Sequence, residues 1–186
     1  MKTNCLEKNC NRCCTASVSD SAITPFDSDD EELLQLFSYF LHKAPEIDSA
    51  LSKKIPASYH NEIFERMMEG RHFKAISFCS SNVKIDSQLA KVSLYENDLC
   101  PKCKRFVCKY KAIQKKEQSE SNLHCFLRHI RNSIAHAHVY MLCINNRKYI
   151  LFEDYNKSKN RSARIICVKA DLKYWKRILC DKRYSI

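Results

Sequence analysis

The chain has 186 residues, enough for one domain with a real core and too few for two of ordinary size. Thirty-two Lys and Arg against 21 Asp and Glu give a formal charge of +11, which favours an anionic partner, nucleic acid first. No run of about 18 apolar residues is present to span a bilayer, and the polar start Met1-Lys2-Thr3-Asn4-Cys5 has no export-signal core, so a cytoplasmic protein that does not engage membranes is expected.

Residues 1–27 read as a polar, cysteine-bearing lead-in, partly ordered at best, and residues 28–186 as the domain proper. Asp29, Asp30, Glu31 and Glu32 then precede Leu33, Leu34, Leu36, Phe37, Phe40 and Leu41, an acidic first turn followed by an apolar stripe, which predicts a helix. Beyond Pro45 and Pro56, the residues Ile63, Phe64, Met67, Met68, Phe73, Ile76 and Phe78 predict a second helical region interrupted near Gly70. A weaker pattern over 83–99 permits a short helix that Cys100-Pro101 would end. Residues 104–118 are very basic and fit a further helix from Phe106 to Ile113, with Lys102–Lys116 a candidate segment for phosphate contacts. The chain has one Gly and four Pro, so helices are expected to dominate.

The strongest periodicity belongs to Leu123, Phe126, Leu127, Ile130, Ile134, Ala137 and Met141, which predicts one core-facing helix capped by Ser119 or Ser121. After it the period falls to two. Tyr149–Asp154 and Arg164–Lys169 read as strands joined by the polar loop Asn156–Ser162, and Asp171 caps a last helix carrying Leu172, Trp175, Ile178 and Leu179.

The chemistry sits on the 123–141 segment, in Arg131-Asn132-Ser133-Ile134-Ala135-His136. An imidazole titrates near neutral pH and moves protons, and a guanidinium matches phosphate oxygens with a flat fork of donors. On an ideal helix Asn132 and His136 share the wet face while Arg131 lies on its flank, about 140° from His136. One copy therefore supplies half a pocket, and two copies facing across a two-fold axis, approaching through Ala135 and Val139, would complete it. Arg128 and His138 add nearby cationic or titratable groups, and Lys104, Arg105 and Lys109 are further candidate phosphate contacts, as is the loop Lys157–Arg164. A solvated basic face is the competing reading for each.

The run Phe126-Leu127-Arg128-His129-Ile130-Arg131-Asn132-Ser133-Ile134-Ala135-His136-Ala137 resembles the RNxxxH signature of HEPN-domain ribonucleases. The helix around Leu33–Leu41 and the strand pair after the motif resemble a strand-extended branch found among mobile and plasmid-borne genes. The resemblance implies a mainly α fold: a HEPN-like helical bundle to about residue 143, then a small β-hairpin and a terminal helix over 147–183. It also implies a dimer that cuts RNA without a metal or other cofactor, as a toxin or anti-phage effector, with Arg131, Asn132 and His136 as the catalytic group. An antitoxin or regulatory protein is an expected partner. Where some HEPN toxins carry a modifiable Tyr two residues after the His, this chain has His138, and its nearest tyrosine is Tyr140.

The alternatives are a catalytically inactive HEPN-fold partner that binds RNA or a nucleotide, and a small zinc-binding interaction protein. The second rests on the ligand-like spacing of Cys10 and Cys13 with Cys100 and Cys103. Against it, Cys79, Cys125, Cys143, Cys167 and Cys180 sit in apolar contexts that suit small buried hydrophobes.

Overall fold

A computed structural model of the chain describes residues 17–22, 28–47, 49–69, 76–80, 105–109, 120–144 and 147–184. Among them are four α-helices: α1 (Glu31–His42), α2 (His60–Met68), α3 (Asn122–Ala135) and α4 (Lys169–Leu179). Six strands accompany them: β1 (Ser17–Ala22), β2 (Ile76–Ser80), β3 (Arg105–Lys109), β4 (Val139–Ile144), β5 (Arg147–Tyr155) and β6 (Arg161–Cys167).

Each helix begins where its first polar groups can satisfy the backbone. Asp30 caps α1 by accepting the Leu33 N–H at 3.1 Å, with Glu31 and Glu32 in the first turn. Ser121 caps α3 by accepting the His124 N–H at 3.1 Å. Asp171 lies at the third position of α4, one turn inside the end, and reaches back to accept the Val168 N–H at 2.9 Å. The buried faces follow a period of 3.6: Leu33, Leu36, Phe37 and Phe40 on α1, and Leu123, Phe126, Leu127, Ile130 and Ile134 on α3. Helix α3 contacts α1 and α2, and α4 contacts the same two. Trp175 is fully buried among them, edge-on to Phe126 with ring centres 5.0 Å apart and donating to the Met67 carbonyl at 2.9 Å.

The expected hairpin is present as β5 and β6, closed by a turn in which Asn156 Oδ1 accepts the backbone N–H groups of Ser158 and Asn160. It does not stand alone. The strand order is β1-β4-β5-β6-β3-β2, antiparallel throughout except for the parallel pair β2 and β3. Helices still account for more of the described residues than strands, and they cover one face of this sheet through Ile150, Phe152, Ala163, Ile165 and Cys167. Leu151 and Ile166 are buried on the opposite face, beside Tyr140 and Tyr149.

Four local expectations change. Ser17–Ala22 pairs with β4 rather than forming part of a loose lead-in. Ile76–Ser80 and Arg105–Lys109 are strands where helix was predicted, because their short Ile, Phe and Val runs find a ladder in each other and in β6. The helix predicted to Met141 stops at Ala135. There Ala137 adopts a left-handed φ of 56°, and its N–H bonds the Ile134 carbonyl at 3.2 Å while the His138 N–H bonds the Ser133 carbonyl at 2.8 Å. This paired closure ends the helix. It turns the chain into β4, so Val139 packs in the core and Met141 belongs to a strand. The segment predicted as helix over 83–99 lies outside the described residues.

Candidate active site

The RNxxxH residues straddle the end of α3. Arg131 and Asn132 lie in its last full turn, and His136 is the C-cap, its N–H bonded to the Asn132 carbonyl at 3.0 Å. The ideal-helix projection therefore holds for the first two and stops at the third. His136 is exposed, and its ring lies 6.2 Å from that of His138. Arg131 is half-buried: Nη1 donates to Asn132 Oδ1 at 3.2 Å, and Nε is buried with no hydrogen-bond partner among the described residues. No hydrogen bond links Arg131 to His136 among the described residues, so one chain presents the two as separate pairs, Arg131 with Asn132 and His136 with His138.

Behind the motif runs a buried polar network that the sequence reading missed. Asp154, on β5, is 3% exposed and accepts through Oδ2 from Asn132 Nδ2 at 3.2 Å and from His129 Nδ1 at 2.7 Å. Burial raises the Asp154 carboxyl pKa, but the hydrogen bond and electrostatic attraction of His129, with the hydrogen bonds from Asn132 and the Tyr155 N–H, outweigh it and hold the group below its ordinary value. His129 is fully buried, and its Nε2 lies 3.2 Å from Arg128 Nη2. Arg128 in turn grips Glu120 through Nε at 2.6 Å and Nη2 at 3.0 Å. The Arg128 fork is thus engaged by Glu120 and His129.

On the opposite face of the sheet, Glu153 is 5% exposed and lies 2.8 Å from Arg164 Nε and 3.3 Å from Arg161 Nε. It also accepts the Tyr155 hydroxyl at 2.7 Å. Burial, with that bond to Glu153, pushes the Tyr155 hydroxyl up to about 12. The Arg161 guanidinium sits over the Tyr155 ring at 5.8 Å, and His138 meets the same ring edge-on at 4.9 Å. Arg161 and Arg164, expected among the open phosphate contacts of the 157–164 loop, are buried instead. His138 is half-buried, its Nδ1 without a hydrogen-bond partner among the described residues, and its carbonyl accepts the Glu153 N–H at 3.0 Å.

A family model described as HEPN pEK499 p136 matches residues 35–176, well over half of the chain and all of α2, α3 and the β4–β6 ladder. The chain belongs to this HEPN family. No curated protein and no solved structure gives a significant match. HEPN domains are commonly ribonucleases; they bind RNA and often form dimers. The HEPN match encloses Arg131, Asn132 and His136, together with His129 and Asp154.

The remaining predicted site residues are placed less fully. Arg105 and Lys109 are the terminal residues of β3, and Lys104, Cys10, Cys13, Cys100 and Cys103 lie outside the described residues. Cys125 and Cys167 are buried thiols, as expected, whereas Cys180 is exposed at the end of α4. No described helix is long and apolar enough to cross a membrane. Asp154 escaped the sequence reading because it follows the apolar run Tyr149–Phe152. The one available signal was an acidic pair, Glu153 and Asp154, at the end of a strand otherwise written for burial.

Proposed function

We propose that this HEPN protein is a metal-independent endoribonuclease that works as a homodimer, with Arg131, Asn132 and His136 forming its active site. The observation that carries this reading is the end of α3: a half-buried arginine braced by an asparagine, one turn before an exposed histidine. In the reaction a base removes the ribose 2′-hydroxyl proton and O2′ attacks the adjacent phosphorus. The bond to the 5′-oxygen breaks, and that oxygen takes up a proton. The exposed imidazole of His136 serves proton transfer, and Arg131 stabilises the charge that builds on the phosphate oxygens. Products are a 2′,3′-cyclic phosphate and a 5′-hydroxyl.

Dimerisation follows from the separation of the two pairs within one chain. A second copy across the exposed end of α3, at Ala135 and His136, brings the partner's pair to the same phosphate. A role as a toxin or defence effector, restrained by an antitoxin or regulatory protein, fits such an activity. Incubation with single-stranded and structured RNA in EDTA tests the chemistry. Cleavage that persists under chelation, leaves cyclic phosphate ends and spares a substrate with 2′-deoxyribose at the scissile position is expected. Binding of RNA without cleavage would instead mark a non-catalytic partner protein, and cleavage lost on chelation would contradict the metal-independent reaction.

A further inference from the structure

The only carboxylate bonded to the motif among the described residues comes from β5, 22 positions beyond Asn132. Its two oxygens are committed: Oδ1 accepts the Tyr155 N–H at 2.9 Å, and Oδ2 accepts from His129 and Asn132. A guanidinium only donates, so Arg128 Nη2 makes His129 Nε2 an acceptor. The ring proton is then on Nδ1, pointed at Asp154. A carboxylate only accepts, so Asn132 must turn its NH₂ towards Asp154 and its oxygen the other way. That oxygen is the atom that receives Arg131 Nη1–H.

We propose that Asp154 is a positioning residue for Arg131: its charge fixes which way the Asn132 amide faces, and the amide oxygen then holds the guanidinium. With the amide reversed, two donors would face each other and Arg131 would lose its only hydrogen-bond partner among the described residues. His129 shares Asp154 Oδ2 with Asn132 and is itself backed by the Arg128–Glu120 pair. The chain of contacts runs from Glu120 through Arg128, His129, Asp154 and Asn132 to Arg131, and it couples the start of α3 and strand β5 to the motif. This inference builds on the ribonuclease reading.

A double-mutant cycle with Asp154→Ala and Asn132→Ala tests it, read in kcat and KM for RNA cleavage well below the unfolding temperature. Asp154→Ala is expected to lower kcat about 10- to 100-fold with KM little changed when Asn132 is present. The same substitution should change kcat less than about 2-fold when Asn132 is already alanine. Equal losses in both backgrounds would mean that Asp154 only braces the fold, and would overturn the proposal. A second reading needs no substrate: the Arg131 Nε–H resonance should move with Asp154→Ala in the native background and stay still in the Asn132→Ala background. A native protein that leaves RNA intact would defeat the ribonuclease reading alone; a stationary Arg131 resonance in both backgrounds would defeat the positioning proposal.

Discussion

Ala137 stands where the backbone is most demanding, because a φ of 56° brings its Cβ against the neighbouring peptide. The left-handed conformation costs an alanine roughly 1–2 kcal/mol, part of which a glycine would return as unfolded-state entropy. Ala137→Gly is therefore expected to stabilise the protein by about 0.5–1 kcal/mol, seen as a higher urea midpoint with an unchanged slope. A lower midpoint would show that the Ala137 methyl contributes packing that the strain conceals. The same position explains a misreading. With no glycine to mark a helix end, the apolar spacing from Ile134 through Ala137 to Met141 looks continuous, although the backbone bonds of Ala137 and His138 close the helix. Arg131, Asn132 and His136 could be picked out because polar residues on an apolar helix stand apart locally. Asp154 and the burial of His129 could not, since their bond spans 25 positions and has no local signature.

Elements with a long apolar period were legible, and short ones were not. Helices α1, α3 and α4 each carry an apolar stripe of two turns or more and α2 a shorter one, whereas β2 and β3 are five residues each and take their state from pairing. Between elements, the Asp154 bonds tie α3 to β5 inside the protein. Asp154→Asn is expected to cost about 1–3 kcal/mol of stability at pH 7, since an amide nitrogen in place of one carboxylate oxygen leaves at least one of its three N–H donors without an acceptor. Because the folded carboxyl lies below its ordinary value, the contribution is complete above about pH 4 and disappears as pH falls through the lowered folded value. The gap in unfolding free energy between the native chain and Asp154→Asn should thus narrow as acid is added. A gap that stays constant from pH 7 to pH 2 would mean that the ionised carboxylate is not what the network holds.

For the whole molecule, charge and family point the same way. A formal +11 attracts a polyanion, and HEPN domains, the family to which the chain belongs, bind RNA. The sheet was the least legible feature at this scale. Its order places β3 and β2 after β6, so strands from the first two-thirds of the chain extend the C-terminal hairpin, and no local pattern announces such a crossover. The proposed active site lies at the end of α3. Initial rates of RNA cleavage by the native protein, Arg131→Ala and His136→Ala, compared in EDTA with all three confirmed folded, test it most directly. Each variant is expected to cleave at least about 100-fold more slowly than the native protein; a rate close to native in both would contradict the proposed site.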